Sequence, residues 1–195
     1  MRQLIVASTN KGKIKEIQAM LKDINIEVLA MNEVLDQEIE IEENGKTFKE
    51  NALIKAQTIA NIVNKPVLAD DSGLEVDALD KQPGIYSARF LGHDTSYKIK
   101  NQYIIDAVKD KDRSARFVCA MALVIPEHEP ILIEETMEGL INDKIEGENG
   151  FGYDPIFYFP PCKMTSAMMP MEEKNRYSHR AKALKQLYTI LKEVI

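Results

Sequence analysis

The chain has 195 residues, of which 45% are hydrophobic and 29% are charged, a composition typical of a globular protein with a sizeable core. Its net charge of −6 argues against broad nucleic-acid or membrane-surface binding, because both need a basic surface. No run of about 18 apolar residues occurs, so we expect no membrane-spanning segment, and the short apolar run after Arg2 predicts no signal peptide. Cys119 and Cys162 lack metal-ligand spacing, which predicts reduced thiols in a cytoplasmic protein.

The first predicted elements alternate between strands and helices. Apolar runs at 3–7 and 26–30 predict buried strands, and a helix is expected from about Lys11 between them. Thr47 is the predicted N-cap of the next helix, and Glu50 stands three residues later, where it would complete a capping box.

The second half begins with a short strand from Pro66 that is expected to end at Ala69, after which Gly73 permits a turn. The remaining elements are expected as a helix at 96–109, two long strands at 115–125 and 129–141, and a last helix after Ser178 whose inward face includes Leu184, Leu187, Leu191 and Ile195. Strands that alternate with helices, together with one long hairpin, predict a single α/β domain over 1–195 with a mixed sheet.

The first stretch that carries chemistry is "ASTNKGKIKEI", where a strand gives way to a helix. Free backbone N–H groups and the positive end of the helix dipole suit a phosphate at such a junction. The side chains that favour this interpretation are Ser8, Thr9, Asn10, Lys11 and Lys13. The alternative is an N-capped surface helix with solvated lysines.

The second stretch is "VLADDSGLEVDAL", in which two adjacent carboxylates follow an apolar strand. Neighbouring side chains of a strand point to opposite faces, so Asp70 and Asp71 are not expected to chelate one ion side by side. One is expected to face a ligand and bind Mg²⁺ or orient a water, while the other secures the loop or supports the first. The alternative is an Asp-rich turn without a ligand.

The third stretch is "EENGKTFKENALIKA". Glu43 stands just before the predicted helix and could supply a further oxygen ligand. Asn51 and Lys55 are four residues apart and therefore share a helix face. The alternative for Lys55 is an ordinary solvated lysine.

The fourth stretch is "GENGFGYDPIFYFP", a glycine-rich loop with aromatic residues. Phe151 or Tyr153 could stack on a nucleobase, and Asp154-Pro155 is expected to end the loop and begin a strand. The alternative is a turn whose aromatic side chains fill the core.

The fifth stretch is "EEKNRYSHRAKAL", in which cations crowd the start of a helix against its dipole. Lys174, His179 and Arg180 could serve an anion or carbonyl oxygens, and the alternative for His179 is a capping or packing histidine. Arg89, in "PGIYSARF", could reach a phosphate or pair with an acid.

Taken together, these motifs are specific for one family. In chain order they are Ser8-x-Asn10-x-x-Lys13, Thr47-Phe48-x-Glu50-Asn51-Ala52, Ala69-Asp70-Asp71-Ser72-Gly73-Leu74, Pro83-Gly84-x-Tyr86-Ser87-Ala88-Arg89, Gly150-Phe151-Gly152-Tyr153-Asp154-Pro155 and Ser178-His179-Arg180. The chain closely resembles the inosine triphosphate pyrophosphatase family, also described as non-canonical purine NTP pyrophosphatases or XTP/dITP diphosphatases.

The resemblance implies Mg²⁺-dependent cleavage of ITP, dITP and XTP between the α and β phosphates, which removes deaminated purines from the nucleotide pool. It also implies a homodimer, and an elongated mixed sheet flanked by helices, with two lobes around a central nucleotide cleft. Neither a nucleic acid nor a membrane is an expected partner.

The resemblance also implies a role for each matching position. Asp71 would be the general base and a metal ligand, Glu43 a further ligand and Asp70 a possible one. Phosphates would be held by Ser8, Thr9, Asn10, Lys11, Gly12, Lys13, Lys55 and Ser72. Substrate contacts on the base side would come from Phe151, Gly152, Tyr153, Asp154, Lys174, His179 and Arg180. The chain departs from many members by having Ile145-Glu146-Gly147 instead of Pro-Arg-Gly and by lacking tryptophan.

Overall fold

A seven-stranded mixed sheet is the central feature of the computed structural model, which describes residues 2–37 and 39–194. The strands lie in the order β2-β1-β3-β4-β5-β6-β7. Their bounds are β1 Arg2–Val6, β2 Ile26–Ala30, β3 Val67–Val76, β4 Ser114–Val124, β5 Ile131–Ile141, β6 Phe157–Phe159 and β7 Met164–Thr165.

The pairing of the strands confirms the predicted mixed α/β sheet. β1 pairs in parallel with β2, where Leu4 lies opposite Val28, and in parallel with β3, where Ile5 lies opposite Val67. β5, β6 and β7 pair in antiparallel fashion. The parallel strands are apolar because helices cover them, which is the usual pattern of α/β proteins.

The helices have the bounds α1 Lys11–Leu21, α2 Met31–Val34, α3 Phe48–Val63, α4 Tyr97–Ala107, α5 Met171–Tyr177 and α6 His179–Val194. Of these, α1, α3, α4 and α6 begin close to the predicted positions, whereas α2 and α5 were not predicted. Side-chain oxygens of Asn10, Thr47 and Ser96 accept hydrogen bonds from the first turns of α1, α3 and α4, which fixes these starts. The predicted capping box is only half formed, because Glu50 accepts from the backbone N–H of Lys46 rather than from that of Thr47.

The predicted end of the third strand at Ala69 is wrong. β3 continues through both aspartates to Val76, and Gly73 does not have the positive φ that a turn would need. Leu74 and Val76 are buried, and Leu74 N–H donates to Ser87 Oγ. The strand continues because these later residues have their own buried partners, which the local Asp-Asp-Ser-Gly pattern does not reveal.

The described residues form two compact units, each with its own core. The first comprises the described parts of Met1–Asp71, Cys119–Glu135 and Arg180–Ile195, and the second comprises Ser72–Val118 and Thr136–His179. The first core includes Leu4, Ile17, Leu68, Met121, Leu123, Leu184, Leu187 and Leu191, and the second includes Leu74, Ile104, Phe117, Tyr153 and Phe157. The predicted inward residue Ile195 lies outside the described residues, and the single domain over 1–195 and the central cleft stay predictions.

The sequence composition predicted that no helix spans a membrane and that the two cysteines are reduced. Within residues 2–37 and 39–194, every helix is too short or too polar to cross a membrane. Cys119 is buried and Cys162 half-buried, and both are free thiols.

Candidate active site

Asp70 and Asp71 are neighbours on β3 but have different partners. Asp71 accepts hydrogen bonds from Lys55 and Asn51, both of α3. Asp70 forms ion pairs with Lys13 of α1 and with Arg180 of α6. The predicted alternation of the two carboxylates is therefore confirmed, since each side of the strand meets a different set of helices.

Around Asp71, two carboxylates converge on one ammonium group. Lys55 Nζ lies 3.1 Å from Asp71 Oδ1 and 3.3 Å from Glu43 Oε2. Lys55 is only 9% exposed, so it is not an ordinary solvated lysine. We call Glu43, Lys55 and Asp71 the acid cluster.

The acid cluster shifts the pKa values of its members. Burial raises the pKa of the Asp71 carboxyl, and the nearby Glu43 charge adds to the shift, which the cations Lys55 and Lys13 only partly offset. Burial lowers the pKa of Lys55, but attraction to Asp71 and Glu43 outweighs it, so the net shift is upward. Asp71 is therefore a more basic carboxylate than a surface aspartate, beside an ammonium that stays charged.

Asn51 joins the two carboxylate-bearing segments and was not among the residues predicted for the site. Its Nδ2 donates to Asp71 Oδ2 at 3.3 Å, and its Oδ1 accepts from Gly45 N–H at 2.8 Å, two residues beyond Glu43. Asn51 is completely buried, and a Cβ on Gly45 would lie 2.7 Å from its Oδ1. The shared helix face of Asn51 and Lys55 was the available sequence signal.

Asp70 belongs to a second buried ion-pair group, with Lys13, Glu16 and Arg180, which we call the arginine cluster. Lys13 Nζ lies 2.9 Å from Asp70 Oδ1, Arg180 Nε lies 3.0 Å from Asp70 Oδ2, and Arg180 also pairs with Glu16. Burial alone would raise the pKa of Asp70, but Lys13 and Arg180 outweigh it and hold that pKa far below its usual range. Burial lowers the pKa of Arg180, but Asp70 and Glu16 more than compensate.

The arginine cluster bears on two of the predicted roles. Arg180 was expected on the base side of the substrate, whereas it is 2% exposed and binds acids of β3 and α1 within the first unit. Asp70 was a possible metal ligand, whereas each of its oxygens already lies within 3.0 Å of a cationic nitrogen. The geometry therefore favours a supporting role for both residues.

The segment before α1 is organised by its own side chains. Asn10 Oδ1 accepts from the N–H groups of Gly12 and Lys13, and Asn10 N–H donates to Ser8 Oγ. Thr9 and Lys11 are exposed. The N-capped helix foreseen as the alternative is present, and the phosphate contact of Ser8 to Lys13 stays a prediction.

In the second unit, the glycine loop (150–154) is held by a buried carboxylate. Asp154 Oδ2 accepts from Phe151 N–H at 2.9 Å and lies 2.8 Å from Lys174 Nζ. Gly150 has a φ of +76°, and a Cβ there would lie 2.1 Å from Asp154 Oδ2. Glycine is therefore required at this position for both backbone conformation and space.

The two aromatic residues of the glycine loop occupy different environments. Tyr153 is buried, its hydroxyl donates to Ser87 O at 2.7 Å, and its ring meets Tyr97 edge to face. Phe151 is half-buried, with Lys174 Nζ 5.3 Å from its ring centre. Tyr153 thus fills the core as the alternative supposed, and Phe151 remains the candidate for stacking on a base.

Two further predicted residues lie in the second unit. His179 is buried and stacks on Phe117 with ring centres 4.9 Å apart, which is the packing contact foreseen as the alternative, and its contact with substrate stays a prediction. Ser72 is half-buried on β3, directly after the two aspartates.

The acid cluster is suited to a hard divalent cation. Among the described residues, no group of three or more His, Cys, Asp and Glu side chains is arranged to hold a metal. Glu43 and Asp71 nevertheless offer oxygens that already converge on a positive charge. Mg²⁺ usually needs only one or two carboxylates besides waters and substrate phosphates, so these residues fit it.

The fold is a mixed α/β sheet, and the acid cluster joins Asp71 of β3 to Lys55 of α3 and Glu43 of the segment before α3. The model of one family, the Ham1 family, matches residues 4–190. The chain belongs to the Ham1 family, and the predicted resemblance is confirmed.

Individual relatives cover nearly the whole chain. A dITP/XTP pyrophosphatase of Listeria monocytogenes is 45% identical, over 100% of this chain and 97% of the relative, and one of Halalkalibacterium halodurans is 47% identical, over 96% and 97%. A Ham1 protein structure from Coxiella burnetii matches with a TM-score of 0.90 at 40% identity, covering both chains completely. The Staphylococcus aureus Ham1 structure matches with a TM-score of 0.89, also at 40% identity, over 98% and 99% of the two chains.

Proposed function

We propose that the chain is a nucleoside-triphosphate pyrophosphatase that hydrolyses ITP, dITP and XTP to the monophosphate and pyrophosphate. The names of the relatives support this substrate class. The observation that carries the chemistry is the convergence of the Asp71 and Glu43 carboxylates on Lys55 Nζ. Hydrolysis of a polyphosphate needs positive charge at the phosphates and a carboxylate that orients water.

In the proposed reaction, Asp71 orients the attacking water and takes its proton. Burial and Glu43 raise the pKa of Asp71, which makes its carboxylate a better proton acceptor. Asn51 holds Asp71 through Oδ2, so that Oδ1 keeps its contact with Lys55. Mg²⁺ held by Glu43 and Asp71 would supply positive charge for the phosphate oxygens.

We assign the phosphates to the start of α1 and to the cations near β3. Ser8, Asn10 and the first N–H groups of α1 lie at the positive end of a helix dipole. Lys55 and Ser72 are the proposed further contacts, and Lys55 would stabilise the charge that develops on the pyrophosphate leaving group.

We assign the purine to the glycine loop (150–154), Lys174 and His179. Hypoxanthine and xanthine carry a 6-oxo acceptor where adenine carries an amino donor. Lys174 Nζ would donate a hydrogen bond to the 6-oxo group, whereas it would leave the amino group of adenine facing another donor. An unpaired buried polar group can cost several orders of magnitude in rate. Guanine shares the 6-oxo group, so we propose that a tight site around its C2 position excludes it.

We also propose that the protein is a cytoplasmic homodimer, and the support for this part is the resemblance to the inosine triphosphate pyrophosphatase family alone.

The test is hydrolysis of ITP, XTP, dITP, GTP and ATP with Mg²⁺, with pyrophosphate and orthophosphate measured separately. We expect pyrophosphate from the first three and little from GTP and ATP. Asp71→Asn is expected to lower kcat about 10²- to 10⁴-fold while nucleotide binding persists. Orthophosphate as the main product, or binding without turnover by the unaltered protein, would overturn the proposal, and the latter would indicate a nucleotide sensor.

A further inference from the structure

Helix α4 holds the glycine loop (150–154) through a buried amide. Asn101 Nδ2 donates to Gly152 O at 3.1 Å, and Asn101 is only 2% exposed. Asn101 stands 51 residues before Gly152 and is not among the substrate-contacting positions assigned above.

The contact fixes the part of the loop that its other anchors leave unrestrained. Asp154 binds Phe151 N–H, and Tyr153 is fixed by its hydroxyl bond to Ser87 O. Between those two anchors lies Gly152, whose φ of +67° is a conformation that only glycine adopts readily. The Asn101 bond therefore restrains the peptide between Gly152 and Tyr153, and with it the position of the neighbouring Phe151, the candidate for stacking on a base.

The side chain of Asn101 carries a cost in folding stability. Its Oδ1 is buried and has no hydrogen-bond partner among the described residues. A buried acceptor without a donor lowers stability, and asparagine is a poorer helix former than leucine. The bond to Gly152 O therefore has to offset the cost of the unpaired acceptor, so the Asn101 side chain contributes little net stability.

We propose that Asn101 is a positioning residue that holds the Gly152 carbonyl, and thereby Phe151, in the conformation that recognises a 6-oxopurine. The inference rests on the proposed function, since it assigns base selectivity to that site. Asn101 itself is not among the residues assigned to the reacting phosphates.

The test compares Asn101→Leu with a matched control, Gln102→Leu. Gln102 is the next residue on α4, but its exposed amide donates to Asp106 within the helix. Steady-state kinetics with ITP and GTP, thermal unfolding, and backbone hydrogen exchange of residues 147–156 are measured for both variants.

For Asn101→Leu we expect the KM for ITP to rise about tenfold with kcat within about twofold, as for loss of one positioning hydrogen bond. The preference for ITP over GTP falls and exchange at residues 150–153 accelerates. The melting temperature changes little, because removal of the unpaired Oδ1 acceptor offsets the loss of the bond to Gly152 O. Gln102→Leu changes none of these. If Asn101→Leu retains the KM, the ITP preference and the exchange rates of the unaltered protein, the proposal is wrong.

A second variant covers the case in which Asn101→Leu does not fold. Asn101→Asp keeps the side-chain volume but replaces the donor to Gly152 O with a carboxylate oxygen, so the same loss of ITP preference is expected. If the unaltered protein releases no pyrophosphate from ITP, the proposed function fails. Hydrogen exchange then decides alone whether Asn101 holds the loop.

Discussion

At the scale of single residues, the pKa values of two adjacent aspartates shift in opposite directions. Asp70 lies between Lys13 and Arg180, so its ionised form is stabilised, and its pKa falls far below the ordinary 3.8. Asp71 is desolvated and faces Glu43, so its ionised form is penalised, and its pKa rises above the same value. A folded-state pKa that differs from the unfolded value is a contribution to stability, and the two contributions have opposite signs.

We therefore expect Asp70→Asn and Asp71→Asn to change stability in opposite directions near neutral pH. Asp70→Asn removes the carboxylate that pairs with Lys13. It also leaves buried Arg180 with Glu16 as its remaining carboxylate, and the change costs about 3 kcal/mol or more. Asp71→Asn removes a carboxylate that is costly to ionise, so the variant is more stable than the unaltered protein. Urea unfolding of both variants measures these changes.

The pH dependence gives the control. The stability that Asp70 contributes is present above its unfolded pKa of about 3.8 and is lost as the pH falls towards the lowered pKa. The cost of ionised Asp71 is absent below its unfolded pKa and grows as the pH rises through the raised one. Equal destabilisation by both substitutions at every pH would contradict this account.

At the scale of elements, the glycine loop (150–154) is built from local backbone conformations that few residues adopt. Gly150 and Gly152 both have positive φ, and the Gly150 site leaves no room for a Cβ beside Asp154. The conformation is held by hydrogen bonds of Asp154, Tyr153 and the α4 amide described above.

We expect Gly150→Ala to impair ITP recognition more than Gly84→Ala does. Both glycines have positive φ, so both substitutions carry a backbone penalty of about 1 kcal/mol. Only at Gly150 would the new Cβ strike a carboxylate, whereas nothing lies within 4 Å at Gly84. The measurements are the KM for ITP and the melting temperature; equal KM values for the two variants would show that the loop tolerates displacement.

The elements also show what could be predicted from the sequence. Caps such as Asn10 and Thr47 act within a few residues, so the starts of α1 and α3 were predictable. The length of β3 was not, because Asp70 obtains partners from α1 and α6, 57 and 110 residues away in sequence (70 − 13 and 180 − 70). For the same reason the burial of Arg180 could not be read from a cationic stretch that, taken alone, indicates an anion site.

At the scale of the whole molecule, the two units share three strands of one sheet. β3, β4 and β5 each contribute residues to both units without interruption. When the part of a strand in one unit unfolds, the rest of that strand loses neighbouring backbone hydrogen bonds. Continuous strands therefore favour cooperative unfolding of the two units.

We accordingly expect one unfolding transition, as the single-domain prediction over 1–195 requires. Calorimetry at a fixed protein concentration would measure it, with the calorimetric and van't Hoff enthalpies in agreement. Fixed concentration matters because a dimer would make the transition depend on it. Two resolved transitions would indicate that the units are independent domains.

The alternation of Asp70 and Asp71 has a consequence for how the gene can vary. The two side chains are chemically identical, and only the phase of β3 decides which meets Lys55 and which meets Arg180. That phase is set upstream, where Val67 and Leu68 pair with β1. Deleting or inserting one codon between Leu68 and Asp70 would exchange the two faces. A change of the strand's length by a single residue would therefore interchange the acid that pairs with Arg180 and the acid that pairs with Lys55 and is proposed to orient the attacking water.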